Sequence, residues 1–417
     1  MSATPLSPRA RYAVLAAAFG ALLFDGLELG LMPLVSLSVS KSLLGAAYTP
    51  TLGGDWFARF TAALMAGAAI GGIALGALGD RIGRTRAMGV SILFYSVFAG
   101  LGAWVTTQEQ MLVLRFVVGL GVGGVWPNAV ALVAESWPDK SRPVVAGLMG
   151  AAINSGILFL SQIAQLHPLT PDSWRWLFYI AGAPAVLGVL VLLFLPESPT
   201  WLASRGRTTG PKAPAPLREL FRPPLLRITF VGIMLGSIPL VGAWAASKWM
   251  IPWADEIGRA VRSDYKAVTQ GWWAAGAILG SLIGAQIAAL LGRRLSYFLI
   301  SVGSFALTWA MFQLTAPLQA SFLPVVFAQG LVATLFFGWL PLYLPELFPT
   351  AVRATGSGIS YNVGRFATAV GVLAAGALFT SLGGSYARVG AAASFIYGFG
   401  ILIIWLAPET HRQSLAK

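Results

Sequence analysis

Long apolar segments alternate with short polar connections along the whole chain. Loop charges, prolines and glycines mark where each apolar segment ends. A helix needs about 20 apolar residues to cross the hydrocarbon core of a bilayer. The pattern predicts an all-α membrane protein whose twelve transmembrane helices cover residues 12–37, 56–78, 87–105, 111–134, 144–166, 176–195, 225–247, 268–291, 295–314, 320–344, 356–380 and 386–406.

The composition supports this prediction. Hydrophobic residues make up 57% of the 417 residues and charged residues only 10%, whereas a soluble domain carries about 25% charged residues. The absence of cysteine excludes disulfides and thiol chemistry. The N-terminal residues MSATPLSPRAR lack the pattern of a cleavable signal peptide, so the first apolar segment is predicted to be a retained spanning helix.

Lysine and arginine are unevenly divided between the predicted loops. Of the 28 bases, 18 lie on the side of the membrane that carries both termini and 8 on the opposite side. The positive-inside rule therefore predicts that both termini are cytoplasmic. Because membrane topology accounts for the net charge of +13, that charge does not indicate binding to nucleic acid.

Three short motifs occur twice at nearly the same separation, which indicates an internal repeat. The offsets are 211, 212 and 209 residues for the pairs ESWPDKSR and ELFPTAVR, PES and PET, and the Gly-Arg dipeptides at 83–84 and 292–293. The chain is therefore predicted to form two pseudo-symmetric six-helix bundles, residues 1–202 and 225–417, joined by a polar linker at 203–224. Parallel halves of this kind place the substrate site at their interface, near the middle of the membrane.

Several of these motifs resemble a known family. The segment GALGDRIGRTR at 76–86 resembles the G-x-x-x-D-R-x-G-R loop of the major facilitator superfamily, and PESPTWL and PELFPTAVRATGSG are also similar to it. DGLE at 25–28 and GR at 364–365 resemble the aromatic acid:proton symporters and their organic-acid relatives, whose D-G-x-D motif has Asp where this chain has Glu28. The resemblance implies the major facilitator fold, transport by alternating access, a monomer, and residence in the bacterial inner membrane.

Four charged residues lie well inside predicted spans, where each costs about 2.5–3.5 kcal/mol on insertion scales. Asp25 and Glu28 share one face of the first helix, three residues apart. Arg115 in the fourth helix is predicted to lie level with Glu28, so the two can form an ion pair. Arg365 in the eleventh helix belongs to the other half and can face Asp25 across the cavity. The alternative is that these charges form ion pairs that only hold helices together.

The charges suggest a coupling mechanism. Burial favours the protonated form of a carboxyl group, and a nearby guanidinium favours its ionised form. An anionic substrate on Arg365 would compete with Asp25 for the guanidinium, so substrate and proton would load together. We therefore expect Asp25 to be the proton-coupling residue, with Glu28 as a second candidate, and Arg365 and Arg115 to be substrate-binding candidates.

Other polar and aromatic residues are candidates by position or by resemblance. Tyr361 and Asn362 lie one turn before Arg365. The resemblance implies that helices 1, 4, 7 and 10 line the cavity, which makes Trp126, Trp244 and Trp339 candidate stacking walls for a substrate ring. The alternative for polar residues such as Asn362 is that they hold helices together.

The resemblance also implies a gate at the cytoplasmic ends of the helices. Arg84 and Arg142 are expected to pair with Glu135 or Glu197 when that side is closed, and Asp80 to cap the N-terminus of a neighbouring helix. The alternative for the arginines is that they only anchor the topology. The candidate gating residues are Asp80, Arg81, Arg84, Glu135, Arg142, Glu346 and Arg353.

Enzyme chemistry is not predicted. His167 and His411 are too few for a metal cluster, there is no phosphate-binding Walker loop, and the GLGVGG of the fourth helix has no preceding strand. We expect a proton-coupled importer of an organic acid anion, an aromatic or similar monocarboxylate, with the proton as coupling ion, no cofactor, and the bilayer as the other partner.

Three alternatives remain open at this stage. A sugar or polyol symporter of the same fold lacks support because the seventh helix has no paired glutamines and the tenth no Gly-Pro-rich stretch. A drug:proton antiporter lacks the Gly-Pro motif in the fifth helix. A transport-inactive sensor is disfavoured by the short linker and the absence of an appended domain.

Overall fold

The structure is a computed structural model that describes residues 6–137, 142–205, 219–349 and 352–410. Within these ranges there is no β-strand, and twelve helices are long and apolar enough to cross a membrane. The predicted fold class and the twelve predicted spans are confirmed. We number the spans α1 (Pro8–Ala47), α2 (Pro50–Ile82), α3 (Arg84–Trp104), α4 (Gln108–Ser136), α5 (Gly147–Leu166), α6 (Arg175–Phe194), α7 (Leu225–Gly258), α8 (Tyr265–Leu291), α9 (Arg293–Gln313), α10 (Phe322–Leu347), α11 (Thr355–Ser381) and α12 (Tyr386–Leu406).

Because twelve spans alternate in direction, α1 begins and α12 ends at the same end of the bundle, here called the terminal end; the opposite end is the distal end. Helix starts at the distal end carry ordinary caps. Thr49 Oγ1 accepts a hydrogen bond from the Leu52 amide at 3.1 Å at the start of α2. At the start of α4, Thr107 and Gln110 form a reciprocal capping box. These caps satisfy amide groups that have no partner inside their own helix.

Helix α7 is interrupted near its middle. Pro239 lies inside its first part and removes one backbone donor. A π-turn at Gly242–Ala246 and a 3₁₀ turn at Ser247–Trp249 follow before the helix continues as Met250–Gly258. Turns of this kind shift the register of the side chains that follow them. The predicted end of this span, residue 247, is therefore eleven residues short of its observed end.

The two halves, α1–α6 and α7–α12, use equivalent helix crossings. A Cβ atom on Gly71 of α2 would collide with the Leu120 carbonyl of α4, and one on Gly280 of α8 with the Leu331 carbonyl of α10. These two pairs are 209 and 211 residues apart in sequence, in agreement with the offsets of the repeated motifs. Small residues allow such close backbone packing between membrane helices.

The halves contact each other mainly along α2 with α11 and along α5 with α8. Helices α1, α4, α7 and α10 complete the walls of the space between the halves. The division into residues 1–202 and 225–417 stays a prediction. Most of the predicted linker, residues 206–218, lies outside the described residues.

Candidate functional site

A cavity lies between the two halves and receives side chains from eight helices. Its lining is mostly apolar and aromatic, with few polar groups, which is typical of sites for small organic molecules. Three charged residues line it, one from α1, one from α7 and one from α11. The lining residues are Asp25, Leu29, Met65, Ala68, Val122, Trp126, Gly150, Ile153, Asn154, Ile157, Leu240, Ala243, Trp244, Lys248, Trp273, Phe337, Tyr361 and Arg365.

Asp25 is the acidic residue of the cavity. Its side chain is 1% exposed, and its Oδ1 atom has no hydrogen-bond partner among the described residues. The next residue, Gly26, lies so close to the Ile153 carbonyl of α5 that no Cβ atom would fit there. This close contact fixes α1 against α5 and so fixes the position of the carboxyl group. A buried carboxyl without a partner is costly in its ionised form.

Arg365 lines the same cavity from α11. One guanidinium nitrogen donates to the Ala68 carbonyl of α2 at 3.1 Å, and the guanidinium carbon lies 5.2 Å from the centre of the Tyr361 ring. Asp25 and Arg365 therefore share a cavity, as the sequence predicts, although the described residues include no ion pair between them. The guanidinium is held in place while it still borders the cavity.

Lys248 is a second cation of the cavity and was not a candidate from sequence. The residue is 1% exposed, and its Nζ atom has no hydrogen-bond partner among the residues that the structure describes. Nζ lies 3.3 Å from the centre of the Trp273 ring and 5.8 Å from that of Trp244. Cation–π contacts of this kind partly replace the lost hydration of an ammonium group.

A hydrogen-bonded network behind the cavity holds these groups. Gln329 accepts a hydrogen bond from the Trp273 indole at 2.7 Å and donates to Ser247 Oγ at 2.6 Å and Thr308 Oγ1 at 3.0 Å. Ser247 is the neighbour of Lys248 in the 3₁₀ turn of α7. The same glutamine therefore orients the ring against which Lys248 lies and the turn that carries it. Networks in which each member has a partner make a site rigid.

The aromatic candidates have different positions. Trp126 from α4 and Tyr361 from α11 lie nearly parallel across the cavity, with ring centres 6.5 Å apart and planes 18° apart. Trp244 also lines the cavity, as predicted. The placement of Trp339 is corrected: it is fully buried, it donates to the Arg293 carbonyl at 2.9 Å, and it is not part of the cavity lining. Trp273 from α8 lines the cavity, although it was not a candidate from the sequence.

Asn362 is also placed differently from the expectation. Its side-chain amide donates to the Gly358 carbonyl of its own helix at 3.0 Å, and its Oδ1 atom lies against Gly72 of α2. It packs α11 against α2 and is not part of the cavity lining. For Asn362, the alternative of helix–helix contact fits the structure better than substrate contact.

Glu28 and Arg115 form an ion pair between α1 and α4, both fully buried. The pair joins two helices of the N-terminal half and lies outside the cavity lining. Glu28 Oε2, Arg115 Nε and Arg115 Nη2 have no further hydrogen-bond partner among the described residues. The predicted ion pair is thus present. Because neither residue lines the cavity, the structure does not support Arg115 as a direct contact of a substrate there.

Equivalent polar networks close the loops of the two halves at the terminal end. In the N-terminal half, Arg84 pairs with Asp80 and lies 3.5 Å from Glu135. In the C-terminal half, Arg293 forms a bidentate pair with Glu346 at 2.8 and 3.0 Å. Glu135 and Glu346 also accept hydrogen bonds from Ser198 and Thr410 respectively.

The expected capping role of Asp80 is corrected. The carboxylate at the N-terminus of α3 is Glu197, which accepts from the Thr85 amide at 3.1 Å, while Asp80 is exposed and pairs with Arg84. Glu409 occupies the equivalent place at α9. Both helices start after a glycine with positive φ, Gly83 at 111° and Gly292 at 88°, a conformation that favours glycine.

The remaining gating candidates contribute less to these networks. Arg81 is exposed, and Arg353 donates to the Phe348 carbonyl at 3.4 Å. Arg142 begins a helix, but its side chain lies outside the described residues. The structure therefore supports the loop contacts of Arg84, Glu135 and Glu346, and leaves the gating role of all seven residues a prediction.

Comparisons with known proteins agree with this architecture. The cis,cis-muconate transport protein of Acinetobacter baylyi is 33% identical over 88% of this chain and 87% of its own length. The 4-hydroxybenzoate transporter PcaK of Pseudomonas aeruginosa is 26% identical over 93% of this chain and 90% of its own. The xylose transporter XylE of E. coli, solved in a partially occluded inward-open conformation, matches with a TM-score of 0.72 and 17% identity over 97% of this chain and all of its own.

The family comparison covers nearly all of the chain. The model of the family described as "Sugar (and other) transporter" matches twice, over residues 13–233 and 215–417. Both proteins compared above at the level of sequence carry the names of transporters of organic acids. The chain therefore belongs to the sugar (and other) transporter family of the major facilitator superfamily and is a multi-pass membrane transporter, not an enzyme.

Proposed function

We propose that this transporter imports an organic acid anion together with a proton, by alternating access across the bacterial inner membrane, with both termini in the cytoplasm. The observation that carries the proposal is Asp25, a buried carboxyl without a partner on Oδ1 that shares one cavity with Arg365. Titratable groups inside a membrane most often serve ion or proton pathways.

The coupling follows from competition for one guanidinium. While the cavity is empty, the positive charge of Arg365 favours the ionised form of Asp25. A substrate carboxylate that binds Arg365 neutralises this charge, and the buried Asp25 then takes up a proton. Substrate and proton enter together, and both leave when the cavity opens to the other side. Glu28, three residues after Asp25 on α1, is paired with Arg115 and remains the second candidate for the proton path.

The cavity suits an unsaturated or aromatic acid. Arg365 presents a planar group that matches a carboxylate, and the nearly parallel rings of Trp126 and Tyr361 offer flat apolar surfaces for a conjugated body. The named substrates of the two bacterial relatives, cis,cis-muconate and 4-hydroxybenzoate, have this chemistry. The substrate class expected from sequence, an aromatic or similar monocarboxylate, agrees with the second of them.

The path for exchange leads to the terminal end. A second cavity, lined by Val130, Trp137, Met149 and Pro341 among others, shares Trp126 with the central one. It lies between the terminal halves of α4, α5 and α10. The positive-inside rule assigns this end to the cytoplasm, so we infer that the substrate leaves the central cavity on the cytoplasmic side.

Purified protein in liposomes loaded with a pH-sensitive dye tests the proposal. Cis,cis-muconate, 4-hydroxybenzoate and a neutral hexose are added separately without an imposed gradient, with protein-free liposomes as the control for permeant acids. We expect internal acidification with an acid and none with the hexose. Acidification with the hexose alone would instead support the second candidate, a sugar symporter, which the description of the matched family model includes.

Replacing Asp25 separates coupling from binding. Asp25→Asn is expected to abolish uphill accumulation of the acid while exchange of labelled for unlabelled acid continues, because the amide cannot carry a proton. Glu109→Gln, which changes an exposed carboxylate outside the cavity, is the matched control and should leave both activities unchanged. Accumulation of the acid against its gradient by the Asp25→Asn variant would refute the coupling role.

A further inference from the structure

The cavity carries more positive charge than a single carboxylate substrate needs. Its charged lining consists of one acid, Asp25, and two bases, Arg365 and Lys248. In the proposed coupling mechanism Asp25 is protonated when the substrate is bound, so the loaded cavity would carry two positive charges. A monocarboxylate would neutralise one of them and leave the other buried and unpaired, which is unfavourable.

Lys248 has the features of an anion-binding residue. It is 1% exposed, borders the cavity, and lacks a hydrogen-bond partner among the described residues. Its contacts with the rings of Trp273 and Trp244 hold the ammonium group without using its hydrogen-bond donors. The network through Gln329 holds Trp273 and the turn that carries Lys248. The ammonium is therefore positioned, and its donors are free for a ligand.

The packing of α7 against α11 gives the levels at which the two cationic residues are attached. Gly364 lies against Gly236 and Leu240, and Gly371 lies against Val241 and Ala245. Both helices run in the same direction, so Arg365 is level with the part of α7 just before Leu240.

Lys248 follows Leu240 by eight residues, so its Cα atom lies more than two turns, about 12 Å at about 1.5 Å per residue, further towards the distal end. The two cations are therefore carried at different levels of the cavity wall, which favours one carboxylate at each of them over a single carboxylate on both.

We propose that Lys248 is a second anion-binding residue and that the transported acid is a dicarboxylate, bound by Arg365 at one carboxylate and by Lys248 at the other. The inference rests on the proposed function, of which it specifies the substrate class. A conjugated spacer between the carboxylates would pass between the two cations and lie along Trp244, which lines the cavity one turn before Lys248.

The test compares acids that differ in one charge. Uptake into proteoliposomes is measured for cis,cis-muconate, for its monomethyl ester, and for 4-hydroxybenzoate. For the unmodified protein we expect the diacid to have a KM lower than that of the monoester by roughly tenfold or more, because the monoester leaves a buried charge without its partner.

Variants of Lys248 assign this preference to one side chain. Lys248→Met is expected to raise the KM of the diacid by roughly tenfold or more and to leave that of the monoester and of 4-hydroxybenzoate nearly unchanged. Lys248→Arg should retain most of the preference, since it keeps a cation. Lys41→Met, which removes a lysine outside the cavity, is the matched control and should change none of the three values.

The outcomes distinguish this inference from the proposed function. Proton-coupled uptake of 4-hydroxybenzoate together with equal KM values for the diacid and the monoester would overturn the dicarboxylate inference and leave proton-coupled import of an acid intact. A Lys248→Met variant that weakens all three acids equally would overturn the assignment of Lys248. Failure of every acid to move protons would overturn both proposals.

Discussion

The two ends of the helical bundle are held by different kinds of contact. At the distal end, hydrogen bonds cross between the halves: Lys266 of α8 donates to Ser38 of α1 at 3.4 Å and to the Leu169 carbonyl at 3.3 Å. Gln270, one turn further along α8, donates to the Gly30 carbonyl of α1 at 3.2 Å.

At the terminal end, the strong pairs stay within one half, Arg84 with Asp80 and Arg293 with Glu346. Between the two halves, the described residues at this end form no hydrogen bond or ion pair.

In the proposed alternating-access mechanism, this difference predicts which contacts break during a transport cycle. The distal end is closed by a few cross-half bonds around Lys266, so opening it requires that these bonds break. We expect the described terminal networks to stay intact when that end opens, because each of them lies within one half. We therefore expect each half to move as a rigid body and the distal contacts to set the balance between the proposed conformations. Alternating access of parallel halves is rigid-body motion of this kind.

Removal of the Lys266 ammonium is expected to have the largest effect. Lys266 is 2% exposed and also lies 3.3 Å from the buried Asp255 of its own half, which keeps Arg259 as a partner at 2.7 Å. Lys266→Met removes the two hydrogen bonds from Lys266 to the other half, and a hydrogen bond to a charged group contributes about 1.5–3 kcal/mol. This cost falls on the distal-closed state, because the cross-half bonds exist only there. We expect the population to shift towards the distal-open state.

The absence of cysteine from the chain makes the shift measurable. A single cysteine introduced at Val130, in the cavity near the terminal end, can be labelled with a membrane-impermeant thiol reagent. Labelling should slow in the Lys266→Met background and stay unchanged in Arg388→Met, which removes an exposed base at the distal end. An equal labelling rate in all three backgrounds would contradict the view that Lys266 holds the distal end closed.

The sequence predicts the polar networks of the terminal end but not the cross-half bonds of the distal end. The repeated motifs indicate Arg84, Glu135 and Glu346, because these residues occur at fixed spacing within loop motifs of the sequence. Lys266 and Lys248 were counted among the bases of loops, since a lysine near the end of an apolar segment is usually a boundary. Helix α7 continues beyond its π-turn and 3₁₀ turn to Gly258, so Lys248 lies inside the span and is buried. No local sequence pattern predicts this extension.

The cavity was predictable to the extent that buried charge is costly. Asp25 and Arg365 stand well inside apolar segments, so their cost in a membrane marked them as functional candidates. The tryptophans could not be sorted in this way, because their position on a cavity or in a core depends on the helix face that each presents. Trp339 and Trp273 are both buried, and only the packing of α8 and α10 distinguishes their roles.

The terminal networks of the two halves are expected to differ in strength. Arg293→Gln would leave Glu346, 12% exposed, without its bidentate partner, at a cost of about 3 kcal/mol, the low end for buried pairs. Arg84→Gln should cost about 1 kcal/mol or less, because Asp80 is 67% exposed and the contact with Glu135 is 3.5 Å long. Thermal unfolding in detergent measures both, and equal losses would refute the stronger C-terminal network.

The smallest expected difference concerns the two glutamates at the starts of α3 and α9. Glu409 uses both oxygens, one on the Arg293 amide and one on the Arg294 amide, each at 3.0 Å. Glu197 accepts through Oε1 alone, and its Oε2 atom is buried without a hydrogen bond among the described residues.

Glutamine retains a single acceptor oxygen, so Glu409→Gln loses a bond that Glu197→Gln keeps. We expect Glu409→Gln to cost about 1 kcal/mol more, in addition to the lost attraction of about 0.3–1 kcal/mol between a carboxylate and a helix N-terminus that both variants share. The two melting temperatures, measured in the same detergent, test this order. A larger loss for Glu197→Gln would mean that the buried oxygen of Glu197 has a partner in the membrane-embedded protein, and that the N-terminal loop is held as tightly as the C-terminal one.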